Sequence, residues 1–160
     1  MLLDFAENYH FHVHWNQSQS TIHPVVIYCK NQDQLCSASF CCISDDLNHD
    51  TVFVHKLFSH VTSLVSSLDP QINSNQYFLD GCTGQYKNYK NMLNLCFHKS
   101  DFNKAASWSF FATSHGKSPC DSVGGTVKRL AARASLERPL ADQILTPEAL
   151  FDCCKCTVRH

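Results

Sequence analysis

The sequence has almost no excess charge of either sign, and it has no long apolar run. Lysine and arginine number 13 against 14 aspartates and glutamates, which gives a net charge of −1 with histidine neutral. A chain without a global positive field does not attract nucleic acid through its overall charge, so any such contact must come from local patches. No segment reaches the roughly 18 consecutive apolar residues that suggest a membrane helix.

The N-terminus also lacks the features of a secretory leader. Met1–Asp4 has no basic segment followed by an apolar stretch. The chain contains ten cysteines, but without a leader we expect reduced thiols inside the cell rather than a disulfide framework. Most of the cysteines lie in apolar runs, where a thiol packs as a small core side chain. Because the sequence opens within a strand-like segment, we interpret it as a piece of a longer protein.

The length and composition are those of one globular domain. With 160 residues, 44% of them apolar, the chain can form one hydrophobic core. Strand-like segments alternate with segments whose apolar residues recur every three or four positions, as in an amphipathic helix. We predict strands at about 2–12, 23–30, 35–43, 76–79 and 106–113, and helices at about 51–68, 89–98 and 123–136, with a short last helix from Thr146–Pro147.

The order β-β-β-α-β-α-β-α predicts an α/β fold. Three consecutive strands with short links form an antiparallel meander. The long first helix can cross over the sheet, and a right-handed crossover places the fourth strand parallel to the first. By fold analogy this is a ribonuclease H-like three-layer fold, with a five-stranded mixed sheet in the order 3-2-1-4-5 flanked by helices. We expect residues 1–139 to form this core, and residues 140–160 to form a short helix and a cysteine-rich tail.

Three aspartates lie within or beside predicted elements. Asp4 is in the first strand, Asp80 ends the fourth strand, and Asp121 precedes the third long helix. Asp4 and Asp80 are thus expected on adjacent parallel strands, and carboxylate oxygens are the ligands that Mg²⁺ prefers. Each aspartate also has a simpler interpretation: Asp4 as a polar residue at a sheet edge, Asp80 as an Asx turn with Gly81, and Asp121 as a helix N-cap.

Three segments carry a resemblance to a known family. They read LDFAENY at 3–9, DGCTGQYKN at 80–88 and FFATSHGKSPCD at 110–121. Together they resemble the catalytic core of DDE/D-superfamily transposases, as found in transposon-derived proteins of invertebrates. The resemblance implies metal-dependent DNA cleavage and strand transfer, with Asp4 bridging two Mg²⁺ or Mn²⁺ ions, Asp80 holding one and Asp121 the other. It also implies DNA as the partner, a homodimer as the assembly and the nucleus as the location.

Basic residues near these aspartates are candidate DNA contacts. The segment from Gln85 to Asn91 interleaves basic, amide and aromatic side chains, which can hold phosphates and stack on bases. A solvated helix start explains the segment equally well, and an exposed helix face explains the basic residues of the third long helix. The candidate contacts are Lys87, Lys90, Lys117, Lys128, Arg129 and Arg133.

Two groups of cysteine and histidine residues are alternative candidates for binding a metal ion. Cys153, Cys156 and His160 have the spacing of half a zinc site, but no second pair accompanies them, so we do not expect structural zinc there. His10, His12 and His14 alternate along the first strand and are expected on one exposed face.

Two functions other than catalysis stay open at this stage. A domesticated, catalytically inactive domain could bind DNA or protein without an acidic metal cluster. A zinc-stapled interaction module is the third interpretation.

Overall fold

The computed structural model describes residues 1–3, 8–11, 19–31, 34–111 and 118–157. The chain divides into two compact units. Unit 1 contains Met1–Leu3, Ile27–Cys36 and Asn48–Gly116, and unit 2 contains Asp4–Val26, Ser37–Leu47 and Lys117–His160.

The described residues form six strands, four α-helices and one short 3₁₀ helix. The strands are β1 (Leu2–Leu3), β2 (Tyr9–His10), β3 (Gln19–Asn31), β4 (Gln34–Ser44), β5 (Ser74–Leu79) and β6 (Ala105–Phe110). The helices are α1 (Thr51–Leu68), α2 (Tyr89–Phe102), α3 (Pro119–Leu136) and α4 (Pro147–Thr157), and the 3₁₀ helix is Leu140–Asp142. Strands β3 and β4 run through both units.

In unit 1, helix α1 has a local start signal and a local stop signal. The Asp50 carboxylate accepts hydrogen bonds from the backbone N–H groups of Val52 and Phe53, both at 2.9 Å, which caps the first turn. The helix ends before Asp69 and Pro70, as predicted. Its buried face carries the three- and four-residue spacing of an amphipathic helix, formed by Phe53, Val54, Leu57, Phe58, Val61, Thr62 and Val65.

Strand β5 buries every second residue beneath this helix. Asn75, Tyr77 and Leu79 are buried, whereas Ser74, Gln76 and Phe78 are exposed. This is the period of two that a strand with one covered face shows. The centroid of the Phe58 ring in α1 lies 4.5 Å from the Tyr77 ring centroid and 5.2 Å from the Trp108 ring centroid. Helix α1 therefore packs against the covered face of the sheet.

Parallel strands with helical crossovers form the sheet of unit 1. Strand β5 pairs with β6 in parallel over its whole length, from Ser74 opposite Ala105 to Leu79 opposite Phe110. It also pairs in parallel with β1, where Leu2 lies opposite Phe78 and Leu3 opposite Leu79. Helix α2 connects β5 to β6, as a parallel connection requires.

Unit 2 combines an antiparallel pair with the last helices. Strand β2 pairs with β3 in antiparallel register, with Tyr9 opposite Ser20 and His10 opposite Gln19. Its core is a single cluster of buried side chains from β2, β3, α3, α4 and the connecting segments. The members are Tyr9, Phe11, Ile22, Val127, Ala131, Ile144, Leu150 and Cys153.

The predicted α/β class is confirmed, with a mixed sheet and four helices among the described residues. The predicted number of five strands is wrong, because the sheet has six. Within the range predicted as a strand at 2–12, the described residues show two short strands, β1 and β2, and residues 4–7 lie outside the described part. The hydrogen-bonded order is β2-β3-β1-β5-β6, with β4 paired to β3.

Several predicted boundaries also need correction. Strand β3 begins at Gln19 rather than at His23, and β5 begins at Ser74 rather than at Gln76. Helix α3 begins at Pro119 rather than near Val123, because Ser118 is its N-cap and Pro119 fits the first helical position without losing a hydrogen bond. Helix α2 continues four residues past His98, to Phe102. Strand β6 ends at Phe110 and not at Thr113, which lies outside the described residues.

Candidate functional site

The carboxyl end of β5 presents an exposed acid. Leu3 and Leu79 are partners on adjacent parallel strands, and the next residues in the sequence are Asp4 and Asp80. Asp4 lies outside the described residues. Asp80 is exposed, and its carboxylate makes no hydrogen bond or ion pair in the described part of the chain, so it does not form the alternative Asx turn with Gly81. A free carboxylate at this end of a parallel sheet is available to a ligand.

The loop that follows Asp80 is held in place by Asn88. The Asn88 side-chain Nδ2 donates to the carbonyl oxygens of Thr83 and Gln85, both at 3.3 Å. Its Oδ1 accepts from the backbone N–H of Asn91 at 3.0 Å and so caps helix α2. One amide therefore fixes both the loop and the start of the helix.

A second amide strengthens the same loop. Asn91 is fully buried, and its Nδ2 donates to the Gln85 carbonyl oxygen at 2.6 Å. Tyr86 is fully buried as well. In the segment proposed to grip DNA, the side chains of Tyr86, Asn88 and Asn91 thus serve the fold. Lys87, Tyr89 and Lys90 are its exposed members.

Those exposed members place two cations and one aromatic ring near the carboxyl end of β5. The Lys87 Nζ lies 5.6 Å from the centroid of the Phe110 ring, within the range of a cation–π contact. Tyr89 is 81% exposed. Phe111 follows β6, and its backbone N–H donates to the Leu79 carbonyl oxygen at 3.0 Å, immediately before Asp80.

The start of α1 also belongs to this end of unit 1, which the sequence analysis missed. The Thr51 hydroxyl donates to the Asn88 Oδ1 at 3.4 Å, and the Gln85 Nε2 donates to the His49 Nδ1 at 3.4 Å. These residues are separated by 36 or 37 positions, so no local pattern links them.

A buried hydrogen-bonded network runs from the middle of β5 towards its amino end, away from Asp80. The His98 Nδ1 is 2.8 Å from the Lys104 carbonyl oxygen, which can only accept, so Nδ1 carries the proton. The His98 Nε2 therefore accepts from the Tyr77 hydroxyl at 3.0 Å. The Tyr77 oxygen in turn accepts from the Asn75 Nδ2 at 3.0 Å and from the Thr62 hydroxyl at 3.4 Å. Each hydrogen bond in this buried network therefore has a defined donor and a defined acceptor.

Burial also shifts the pKa values of His98 and Tyr77 in this network. Loss of hydration lowers the pKa of His98, against the opposing effects of the Lys104 carbonyl and of Asp101. Loss of hydration also raises the pKa of Tyr77, although the hydrogen bonds from Thr62 and Asn75 favour its anion. Both side chains are therefore neutral at neutral pH, as the hydrogen-bond directions require.

Asp121 lies in unit 2 and has a structural task. It occupies the third position of α3, and its Oδ2 accepts from the backbone N–H of Ser118 at 2.6 Å. This is the acidic half of a capping box. Asp121 therefore stabilises the start of α3 from the third helical position, and Ser118, not Asp121, is the N-cap. Asp121 is exposed, and its second carboxylate oxygen is not used by this bond.

The predicted basic residues of α3 differ in availability. The Arg133 Nε lies 2.8 Å from the Glu137 Oε1, in an exposed ion pair that raises the pKa of Arg133. The Arg129 Nη2 donates to the Thr126 hydroxyl at 3.0 Å, and Arg129 is exposed. Lys128 is half-buried. Lys117 lies outside the described residues.

The other predicted ligands are only partly described. Cys153 is buried in the core of unit 2, whereas His160 and the side chain of Cys156 lie outside the described part. His10 is exposed on β2, and His12 and His14 also lie outside it. Among the described residues, no group of three or more His, Cys, Asp or Glu side chains is arranged to hold a metal ion.

The fold and this end of unit 1 define a mixed α/β domain with an exposed acid at the end of a parallel strand. The chain belongs to the family described as a domain of unknown function, DUF8701, whose model matches residues 1–160. No curated protein and no solved structure matches the chain. In the described part, none of the helices has the length and apolar character needed to cross a membrane.

Proposed function

We propose that this chain is a transposase-derived, ribonuclease H-like domain that cleaves and joins DNA with divalent metal ions. Asp4, Asp80 and Asp121 are the proposed metal-binding acids, and Mg²⁺ or Mn²⁺ is the proposed cofactor. DNA is the proposed substrate, and the nucleus the proposed location. When bound, such ions supply an activated water and stabilise the leaving oxygen of a phosphodiester.

One observation carries the proposal. Leu3 and Leu79 are register partners on parallel strands, and each is followed in the sequence by an aspartate. Parallel strands end at the same edge of a sheet, where ligands of open α/β sheets bind. Two carboxylates following partner positions are a suitable donor set for a hard, oxygen-preferring cation.

The state of Asp80 supports the same proposal. An acid that only serves the fold is expected to be hydrogen-bonded or paired, as Asp50 is where it caps α1. Asp80 is exposed and uses neither oxygen within the described part of the chain. It also stands before a loop that two partly buried side-chain amide contacts hold in place, and a fixed support keeps a ligand group in position.

Nearby cations suit a polyanionic substrate. Lys87 and Lys90 are exposed and follow Asp80 within ten positions, so they can neutralise phosphates. Lys117, Lys128, Arg129 and Arg133 are the further proposed contacts. Among these, Arg133 would have to exchange its ion pair with Glu137 for a phosphate.

Metal-dependent nicking of supercoiled DNA tests the proposal. The wild-type protein is expected to nick in Mn²⁺ and not in EDTA. Asp80→Ala and Asp4→Ala are each expected to lower the rate at least about 100-fold, because a metal ligand is lost. The matched control is Asp142→Ala, since Asp142 is an exposed acid of the 3₁₀ helix in unit 2.

The possible outcomes distinguish a catalytically active domain from an inactive domain of the same ancestry. Equal nicking by wild type and Asp80→Ala, with the fold intact, would show that a contaminant cuts the DNA and would reject the catalytic role. Binding of DNA without any nicking would support the alternative of a domesticated, inactive DNA-binding domain.

A further inference from the structure

Strand β6 is an edge strand within the described part of the chain, because β5 is its only hydrogen-bonded neighbour there. The N–H of Ala105 donates to the Asn73 carbonyl oxygen at 2.9 Å, and the N–H of Phe111 donates to the Leu79 carbonyl oxygen at 3.0 Å. Backbone groups of successive residues point to opposite sides of a strand. The residues whose N–H and C=O groups point away from β5 are therefore Ala106, Trp108 and Phe110.

This edge carries none of the usual protections. Natural sheets shield their edges with charged residues, prolines or bulges, but the β6 sequence AASWSF contains no charged residue and no proline. In the described part of the chain, no hydrogen bond reaches the outward backbone groups of the strand. The edge is therefore a template for another extended strand.

We propose that β6 pairs with β6 of a second copy of this chain, in antiparallel orientation about a two-fold axis at Trp108. In this register Trp108 lies opposite Trp108 of the partner subunit, and Ala106 lies opposite Phe110 of the partner subunit. All three outward residues of each strand then find a partner, which gives about six hydrogen bonds. A shift by two residues in either direction leaves an outward residue at the strand end unmatched.

The side chains favour a second copy as the occupant because the strand is self-complementary in this register. The small Ala106 meets the large Phe110 of the partner subunit. On the open face, Ser107 and Ser109 are exposed and lie opposite each other across the axis. Because β6 carries no charged side chain, its partner strand does not need an opposite charge, and an identical strand is suitable. A two-fold pairing of identical edges is also closed, so it ends with a dimer rather than a fibre.

This inference goes beyond the proposed function, since neither metal nor DNA enters it. Two double variants test it by sedimentation equilibrium over a concentration series. Ser107→Lys with Ser109→Lys places like charges directly opposite each other twice, and the dimer dissociation constant is expected to rise about tenfold. Ser107→Glu with Ser109→Lys places opposite charges there, so the dimer is expected to be kept or tightened.

A third variant controls for added charge alone. Ser59→Lys with Ser63→Lys puts the same two charges on exposed positions of α1, and its dissociation constant is expected to equal that of the wild type. Thermal unfolding at the lowest concentration checks that all variants are folded. A wild type that stays monomeric at every concentration would overturn the proposal. Equal behaviour of the Lys/Lys and Glu/Lys variants would overturn it as well, because a dimer through another surface ignores which charges stand on β6.

Discussion

The two units differ in what fills their cores. In unit 1 the Tyr77 hydroxyl and the His98 imidazole are buried and hydrogen-bonded to each other, with Asn75 and Thr62 as further partners. In unit 2 the core cluster consists of aliphatic and aromatic side chains with one thiol, and the buried polar residues Ser20, Thr21 and His23 lie outside this cluster. A hydrogen-bonded core fails when a partner is removed or protonated, whereas an apolar core fails when volume is lost. The two units should therefore respond to different changes.

Half-buried thiols line an apolar pocket in unit 2. Cys41 and Cys154 line one pocket of about 520 Å³. Burial, assisted by the neighbouring Cys42, Cys154 and Cys120, raises the pKa of Cys41 to about 12. Burial also raises the pKa of Cys154 to about 11. At neutral pH both remain thiols, which pack as small apolar groups.

The largest expected effect is the loss of volume in unit 2. Leu150 is fully buried in the core cluster, so Leu150→Ala should lower the free energy of unfolding by about 3 kcal/mol. Leu136→Ala is the matched control, because Leu136 is 82% exposed at the end of α3. Urea unfolding measures both. Equal losses in the two variants would contradict the assigned core.

The next effect is the loss of one hydroxyl in unit 1. Tyr77→Phe keeps the ring but leaves the His98 Nε2 and the Asn75 Nδ2 without their partner, and this should cost about 2 kcal/mol of unfolding free energy. Tyr89→Phe removes the same atom from an exposed ring and should change stability very little. If both variants unfold at the same urea concentration, the buried hydrogen bonds of Tyr77 contribute nothing to stability.

A smaller effect depends on pH. The pKa of His98 is lowered in the fold from its ordinary value of 6.5, so the unfolded chain binds the proton first. The stability that neutral His98 provides is complete above about pH 6.5 and is lost as the pH falls towards the folded pKa. The groups around His98 that also carry or acquire charge are Tyr77, Asp101 and His55.

Unfolding free energies between about pH 8 and pH 5 measure this term. Wild type should lose more stability on acidification than His98→Gln, whereas His60→Gln, at an exposed position of α1, should follow the wild type. Identical pH dependence in wild type and His98→Gln would show that His98 is not held neutral.

The smallest effect concerns thiol reactivity and leaves stability unchanged. Cys36 and Cys96 are exposed, whereas Cys41 and Cys154 are half-buried and have a raised pKa. Alkylation by iodoacetamide at about pH 8 should be at least tenfold slower at Cys41 and Cys154 than at Cys36 and Cys96, because the thiolate is the reacting form. Peptide mapping by mass spectrometry gives the rates, and equal rates at all four positions would refute the assignment.

Local signals made part of this structure predictable. The apolar spacing and the stop at Asp69–Pro70 predicted α1, and the strand-like segment at 76–79 predicted most of β5, with Asp80 directly after it. The parallel pairing of β1 with β5 was expected from the order of elements. Of the strand predicted at 2–12, the described residues show β1 and β2.

Non-local contacts account for what the sequence did not reveal. The tautomer of His98 depends on Tyr77, which lies 21 positions away, and the loop after Asp80 depends on Thr51 of another helix. Asp121 was ambiguous for a different reason. A carboxylate in the first helical turn satisfies a capping box and also suits a metal ligand, so its residue type and position fit both roles.

Anomalous diffraction from crystals soaked in Mn²⁺ tests the central claim most directly. The proposal predicts an anomalous peak at about 2.2 Å from carboxylate oxygens of both Asp4 and Asp80, which disappears in crystals of Asp80→Ala. Crystals without manganese at Asp80, or with manganese only at unrelated exposed acids such as Asp142, would contradict it.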